Sequence, residues 1–244
     1  VPMARATSNG YYKEMLEIMK GFMQALKDNQ CIKLAVITGC LKIAKESIFT
    51  GTNNFVSNTI TSSRLNEYYG FVQNEVDRIL EDAEIKGKGD IMKKWYDGYH
   101  FGDVDVYCPW DVMCYVDDLQ KNPNAKPDEY WKDTSDNVII RSFIDYAGAS
   151  ITKKLETLMN GGYIIQRVDE NLTYDYLHSS EENLWSLMYL TGYLTQVRDY
   201  KIDDDWQDNM VALKIPNLEI KQIFETEVSK WFEDSSKKWN RTEL

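Results

Sequence analysis

The residues of this 244-residue chain that could do chemistry are few, and most lack the partners that chemistry needs. The two histidines, His100 and His178, sit in no recognisable nucleophile motif, so a hydrolase triad is not expected. Cys31, Cys40, Cys108 and Cys114 show no close pairing of the kind zinc requires, and nitrogen donors beside them are too few. No G-x-x-x-x-G-K-[ST] run exists. Gly87-Lys88-Gly89 is too short and follows no strand, so no loop of this chain cradles a nucleotide phosphate. Asp203-Asp204-Asp205 lacks the spacing and glycine turn of a calcium loop and reads as a solvated hairpin tip. The richest stretch is Trp95-Tyr96-Asp97-Gly98-Tyr99-His100-Phe101-Gly102, with rigid aromatics, a turn and one carboxylate. Trp95, Tyr96, Asp97 and Tyr99 could edge a ligand pocket or link two parts of the chain. Packing is the simpler reading, because Asp-Gly is foremost a turn signal and Trp and Tyr are ordinary anchors.

The elements that must position these residues are mostly helices. Apolar residues at Tyr12, Met15, Leu16, Met19, Phe22, Met23 and Leu26 form the stripe of an amphipathic helix, with Ser8 or Asn9 as a cap. Ile32–Thr38 is a nearly continuous apolar run, which predicts a strand buried on both faces, as in a parallel sheet. Its sheet neighbours are not visible in the rest of the chain. Further helices are predicted near 74–84, 89–97, 137–147 and 151–159, and Pro109 suits the first turn of another. Lys121-Asn-Pro-Asn-Ala-Lys-Pro127 is polar with two prolines and marks a hinge or domain boundary. Gly161-Gly162 ends the 151–159 helix. Ser179, with Glu182 three residues on, predicts a capping box. Leu194–Tyr200 and Met210–Ile215 predict a hairpin, and Asn217 caps a final helix. The fold class is therefore α+β and predominantly helical, with a winged-helix-like end.

Bulk properties exclude several roles. Hydrophobic residues make up 43% and charged residues 27%, an ordinary globular balance. The formal net charge of -11 repels phosphate backbones, so nucleic-acid binding by this segment is disfavoured. No stretch approaches the roughly 20 apolar residues of a membrane span, and no signal peptide opens the chain. A cytoplasmic location and no membrane partner are the expectations. Val1-Pro2 opens without an initiator Met, as a fragment would.

Several segments, taken in order, resemble the bacterial family of predicted AAA-ATPase-like proteins. They are Asn9-Gly10-Tyr11-Tyr12, then Ile37-Thr38-Gly39-Cys40-Leu41-Lys42-Ile43-Ala44-Lys45-Glu46-Ser47-Ile48-Phe49-Thr50-Gly51. Glu67-Tyr68-Tyr69-Gly70-Phe71, Trp95-Tyr96-Asp97-Gly98-Tyr99, Thr191-Gly192-Tyr193-Leu194-Thr195 and Ile215-Pro216-Asn217 continue the series. The specificity lies in collinearity rather than in any one motif. The family commonly has Arg where Lys42 stands, and a point charge does not reproduce a bidentate fork. The resemblance implies a P-loop NTPase core ahead of Val1 that binds ATP with Mg²⁺, and often a PD-(D/E)XK nuclease-like domain afterwards, both in the same polypeptide. It implies that residues 1–60 are the remnant of the ATPase core, 61–122 a helical lid and 128–244 a helical, winged-helix-like domain. Thr38 then takes the place of a γ-phosphate sensor, and Lys42, Lys45 and Ser47 become phosphate contacts. The segment alone is expected to hold no cofactor and to be inactive. The alternative is a non-enzymatic module that binds a protein partner.

Overall fold

The computed structural model describes residues 6, 9–39, 56–131, 149–172, 180–198, 200 and 209–242, with 231–242 described by backbone alone. Helix α1 (Tyr12–Asp28) follows the predicted apolar stripe, but Tyr11 stands at its cap position and no side chain caps it. Only Tyr12 and Met23 of its stripe are buried, whereas Ile18 and Phe22 are exposed.

The run Ile32–Thr38 is not a strand. It carries no regular secondary structure, and neither described sheet includes it. Leu34 and Val36 are 81% and 80% exposed. The physical reason is that a strand needs a second strand to take its hydrogen bonds, and among the described residues none pairs with this run.

Two cores follow. The first gathers α2 (Gln73–Asp82), α3 (Gly89–Tyr96) and α4 (Pro109–Lys121). Val76, Leu80, Met92, Tyr96, Tyr115 and Leu119 fill it. Val72 stands at the cap position of α2, where no hydroxyl is available, and Glu75 Oε2 instead accepts the Val72 N–H at 3.0 Å. Pro109 occupies the first turn of α4, where its missing N–H costs nothing.

The second core is built on a three-stranded antiparallel sheet in the order β3-β5-β4. Its strands are β3 (Ile164–Arg167), β4 (Thr195–Gln196) and β5 (Met210–Lys214). Helices α5 (Ala149–Met159), α6 (Glu181–Leu190) and α7 (Leu218–Thr242) complete the unit. Trp185, Met188, Tyr193, Leu213, Ile220 and Phe224 are at its centre, each almost fully buried. Thr195 pairs with Lys214, so the expected β4–β5 pairing forms, and β3 adds to the other edge of β5. Gly161, at φ +81°, ends α5 as read from the sequence, and the Gly162 N–H closes the turn on Thr157 O at 2.9 Å. The cap of α6 is one residue later than expected: Ser180 Oγ accepts the Asn183 N–H at 3.2 Å. A capping hydroxyl must lie three residues before its donor, and the helix begins at Glu181.

A hairpin that the sequence reading missed joins the cores. Strands β1 (Tyr99–Phe101) and β2 (Val104–Val106) pair antiparallel, with Gly102 and Asp103 as the connecting turn. Tyr99 and Val106 point into the second core, while the adjoining Tyr96 and Tyr107 belong to the first. The α+β class is as expected. Lys42, Lys45, Ser47, the helix near 137–147 and the acidic loop at 203–205 lie outside the described residues. Among the described residues, no helix is long and apolar enough to cross a membrane.

Candidate functional site

Tyr96 and Tyr99 are three residues apart yet sit in different cores, so the chain must turn sharply between them. Asp97-Gly98 makes that turn. Gly98 has φ +102°, where a β-carbon would be strained, and a Cβ built on it would stand 2.2 Å from Pro216 O. The chain thus passes directly over the residue pair that starts α7. Asn217 fastens the crossing from below: its Oδ1 accepts the Ile220 N–H at 3.0 Å as a helix cap, and its Nδ2 donates to Asp97 O at 3.0 Å. One side chain therefore sets both the start of the last helix and the exit of α3.

Aromatic hydroxyls hold the other side. The Tyr96 hydroxyl donates to Asp128 O and accepts from the Asp128 N–H, each at 3.1 Å, which ties the proline-flanked segment to the first core. Trp95 is half-buried and tilts against Tyr96. The Tyr96 ring also meets Tyr115 and Tyr130 at 5.8 and 5.9 Å, ordinary distances for tilted aromatic pairs. Burial holds the Tyr96 phenol far above its usual range, so it acts only as a neutral hydrogen-bonding group.

Beneath the crossing lie two carboxyls that no sequence motif marks. Asp111, in the first turn of α4, and Glu219, in the first turn of α7, are both completely buried. Glu219 Oε1 accepts the Trp131 N–H at 2.8 Å. Among the described residues its Oε2 and both oxygens of Asp111 have no hydrogen-bond partner at normal distance. Two neighbouring buried carboxylate charges carry a heavy desolvation cost, which favours a protonated carboxyl in the pair. Burial first, then the Asp111 charge, pushes Glu219 up to about 9. Burial also raises Asp111, opposed by its neighbours Glu219 and Cys108. The Cys108 thiol is pushed well up by burial and by Asp111, which leaves it an inert thiol rather than a nucleophile. Asp97 is raised by burial, opposed by the Gly98 amide, and its Oδ1 has no hydrogen-bond donor among the described residues.

Next to this junction, His100 Nδ1 lies 2.9 Å from Asp105 Oδ1, and Arg198 reaches the other oxygen of Asp105 at 2.6 Å. The His100 N–H donates to Thr195 Oγ1 at 2.8 Å and so links β1 to β4. Among the described residues no hydroxyl or thiol bonds the His100 ring. The arrangement is a structural tie, not a nucleophile and base. Among the described residues, no group of three or more His, Cys, Asp or Glu could hold a metal ion.

Of the residues read from the sequence, the structure brings Trp95, Tyr96, Asp97 and Tyr99 together at this junction. Thr38 is elsewhere: it is exposed in the irregular segment after α1 and makes no hydrogen bond among the described residues. The carboxyl pair escaped notice because Asp111 and Glu219 are 108 positions apart and each looks like an ordinary first-turn acid.

The chain is similar to an uncharacterized protein from the vnfD 5' region of Azotobacter chroococcum mcd 1, with 25% identity over 211 residues. That match covers 86% of this chain and 37% of the relative, so the chain spans well under half the length of the curated relative it matches. No protein-family description matches the chain, and no solved structure matches it.

Proposed function

We propose that this chain is the sensor-and-lid part of an AAA-ATPase-like protein, which reads nucleotide held by a P-loop core and passes its state to an attached nuclease-like domain. ATP and Mg²⁺ bind the longer polypeptide in this reading. The chain alone binds neither, since it supplies no phosphate-cradling loop.

The observation that carries the reading is the exposed apolar run. Ile32, Leu34, Val36 and Ile37 are 37%, 81%, 80% and 44% exposed. Burying one such side chain is worth about 1.5–3 kcal/mol, so four of them in water forfeit a stabilisation that a sheet would recover. The run has the composition of a parallel-sheet strand and ends at Thr38-Gly39, where the resemblance puts a sensor. The similarity to only 37% of a longer relative supports the same view. Lys42, Lys45 and Ser47 would follow as phosphate contacts, and the Trp95–Tyr99 junction would transmit movement between the lid and the last domain.

The test is Thr38→Ala in the polypeptide that carries the P-loop. Turnover should fall about 10- to 100-fold while ATP affinity stays within about threefold, the pattern of a group that acts in the transition state. Equal losses in binding and turnover, or no loss at all, would remove the sensor role. A protein-interaction module would show no ATP turnover to lose.

A further inference from the structure

We infer that the cleft between α3, the end of α5, β5 and the start of α7 is a binding site for a phosphate monoester of a small molecule. The cleft has a volume of about 230 Å³. Lys94 from α3, Lys214 from β5 and Lys221 from α7 line it, so three separate elements each contribute one lysine to the same wall. No acidic residue lines it, in a chain whose net charge is -11. Among the described residues Lys94 and Lys214 have no carboxylate at ion-pair distance, and Lys221 reaches Glu225 only at 3.9 Å.

Charges of one sign gathered around a cleft repel one another, and within a Debye length of about 8 Å salt relieves this only in part. An acidic protein gains nothing in solubility from such a grouping. A bound dianion turns the repulsion into attraction, and lysines suit phosphate as point charges. The remaining wall is apolar, from Leu158, Ile215 and Leu218, which fits the organic part of an ester better than free phosphate. The first turn of α7 adds its partial positive charge to the lysines. The Asn217 side chain is already committed to Asp97 and Ile220, so it orients the helix and leaves the ligand to the lysines.

The site does not depend on the ATPase reading, which concerns residues before and around Thr38; either can fail alone. The experiment is calorimetric titration of the 244-residue chain with phenyl phosphate and with inorganic phosphate. Saturable binding of phenyl phosphate, tighter than that of inorganic phosphate, is the expected result. Lys214→Met and Lys94→Met should each weaken it about tenfold, the worth of one charge-assisted contact, while Lys214→Arg retains most of it. Lys86→Met, at an exposed lysine away from the cleft, serves as the control and should change nothing. Lys94 is exposed, so its variant keeps the test valid should Lys214→Met unfold. Non-saturable binding, absence of binding, a preference for inorganic phosphate, or an equal loss in Lys86→Met would overturn the proposal.

Discussion

Gly98 is the residue at which a single hydrogen decides whether the two cores can meet. Its φ of +102° and the 2.2 Å approach of Pro216 O to a built Cβ act together, so Gly98→Ala pays for both strain and collision. Gly161 offers the comparison, with φ +81° and open space around it. We expect Gly98→Ala to cost about 3 kcal/mol or more and Gly161→Ala about 1 kcal/mol, read as shifts of the urea midpoint at constant m. Equal costs would mean that the crossing is looser than its geometry. The buried carboxyls make a second prediction at this scale. Glu219 is raised in the folded chain, to about 9 from an ordinary 4.5, so the folded state holds a proton that the unfolded chain gives up. Stability from that proton is complete below about pH 4.5 and drains away as pH rises through about 9. Glu219→Gln keeps the shape and the oxygen that accepts from Trp131 while removing the titration. Thermal melts from pH 5 to pH 9 should therefore fall in the parent and flatten in Glu219→Gln; parallel curves would place the pH dependence elsewhere.

The helices were largely legible in the sequence, and their starts most of all. Pro109 and Asn217 fix α4 and α7 through local chemistry that needs no knowledge of the rest of the chain. The turn at Asp97-Gly98 was legible too. The β1–β2 hairpin behind it was not, because Tyr99-His-Phe and Val104-Asp-Val are three residues each and their pairing rests on the second core. Strand β3 was missed for a similar reason: Ile164–Arg167 alternates buried and exposed over only four residues. Ile32–Thr38 erred the other way, since apolar composition signals a wish for burial without providing the partner. That segment yields a prediction at the element scale. Under native conditions trypsin should cut first after Lys33, well before any site in α2 to α4 or α5 to α7, as mass spectrometry of early fragments would show. Cleavage that begins instead between Pro127 and Ala149, or at equal rates throughout, would mean that the segment is protected by contacts of its own.

At the scale of the molecule, the two cores are sewn together rather than merely adjacent. Tyr96 and Tyr99, Asp111 and Glu219, and the two hydrogen bonds of Asn217 all span the same crossing. In the proposed reading, the apolar run at 32–37 is the face that a nucleotide-binding core would cover. The order of predicted helices and strands foretold the α+β class, but neither it nor any single motif could reveal a junction made from residues more than a hundred positions apart. The most direct test of the central claim is calorimetric titration with ATP and Mg²⁺, of this chain and of the polypeptide extended to the full length of its gene. The account predicts saturable binding by the extended polypeptide and none by the 244-residue chain. Tight binding by the chain itself, or none by the extended protein, would contradict it.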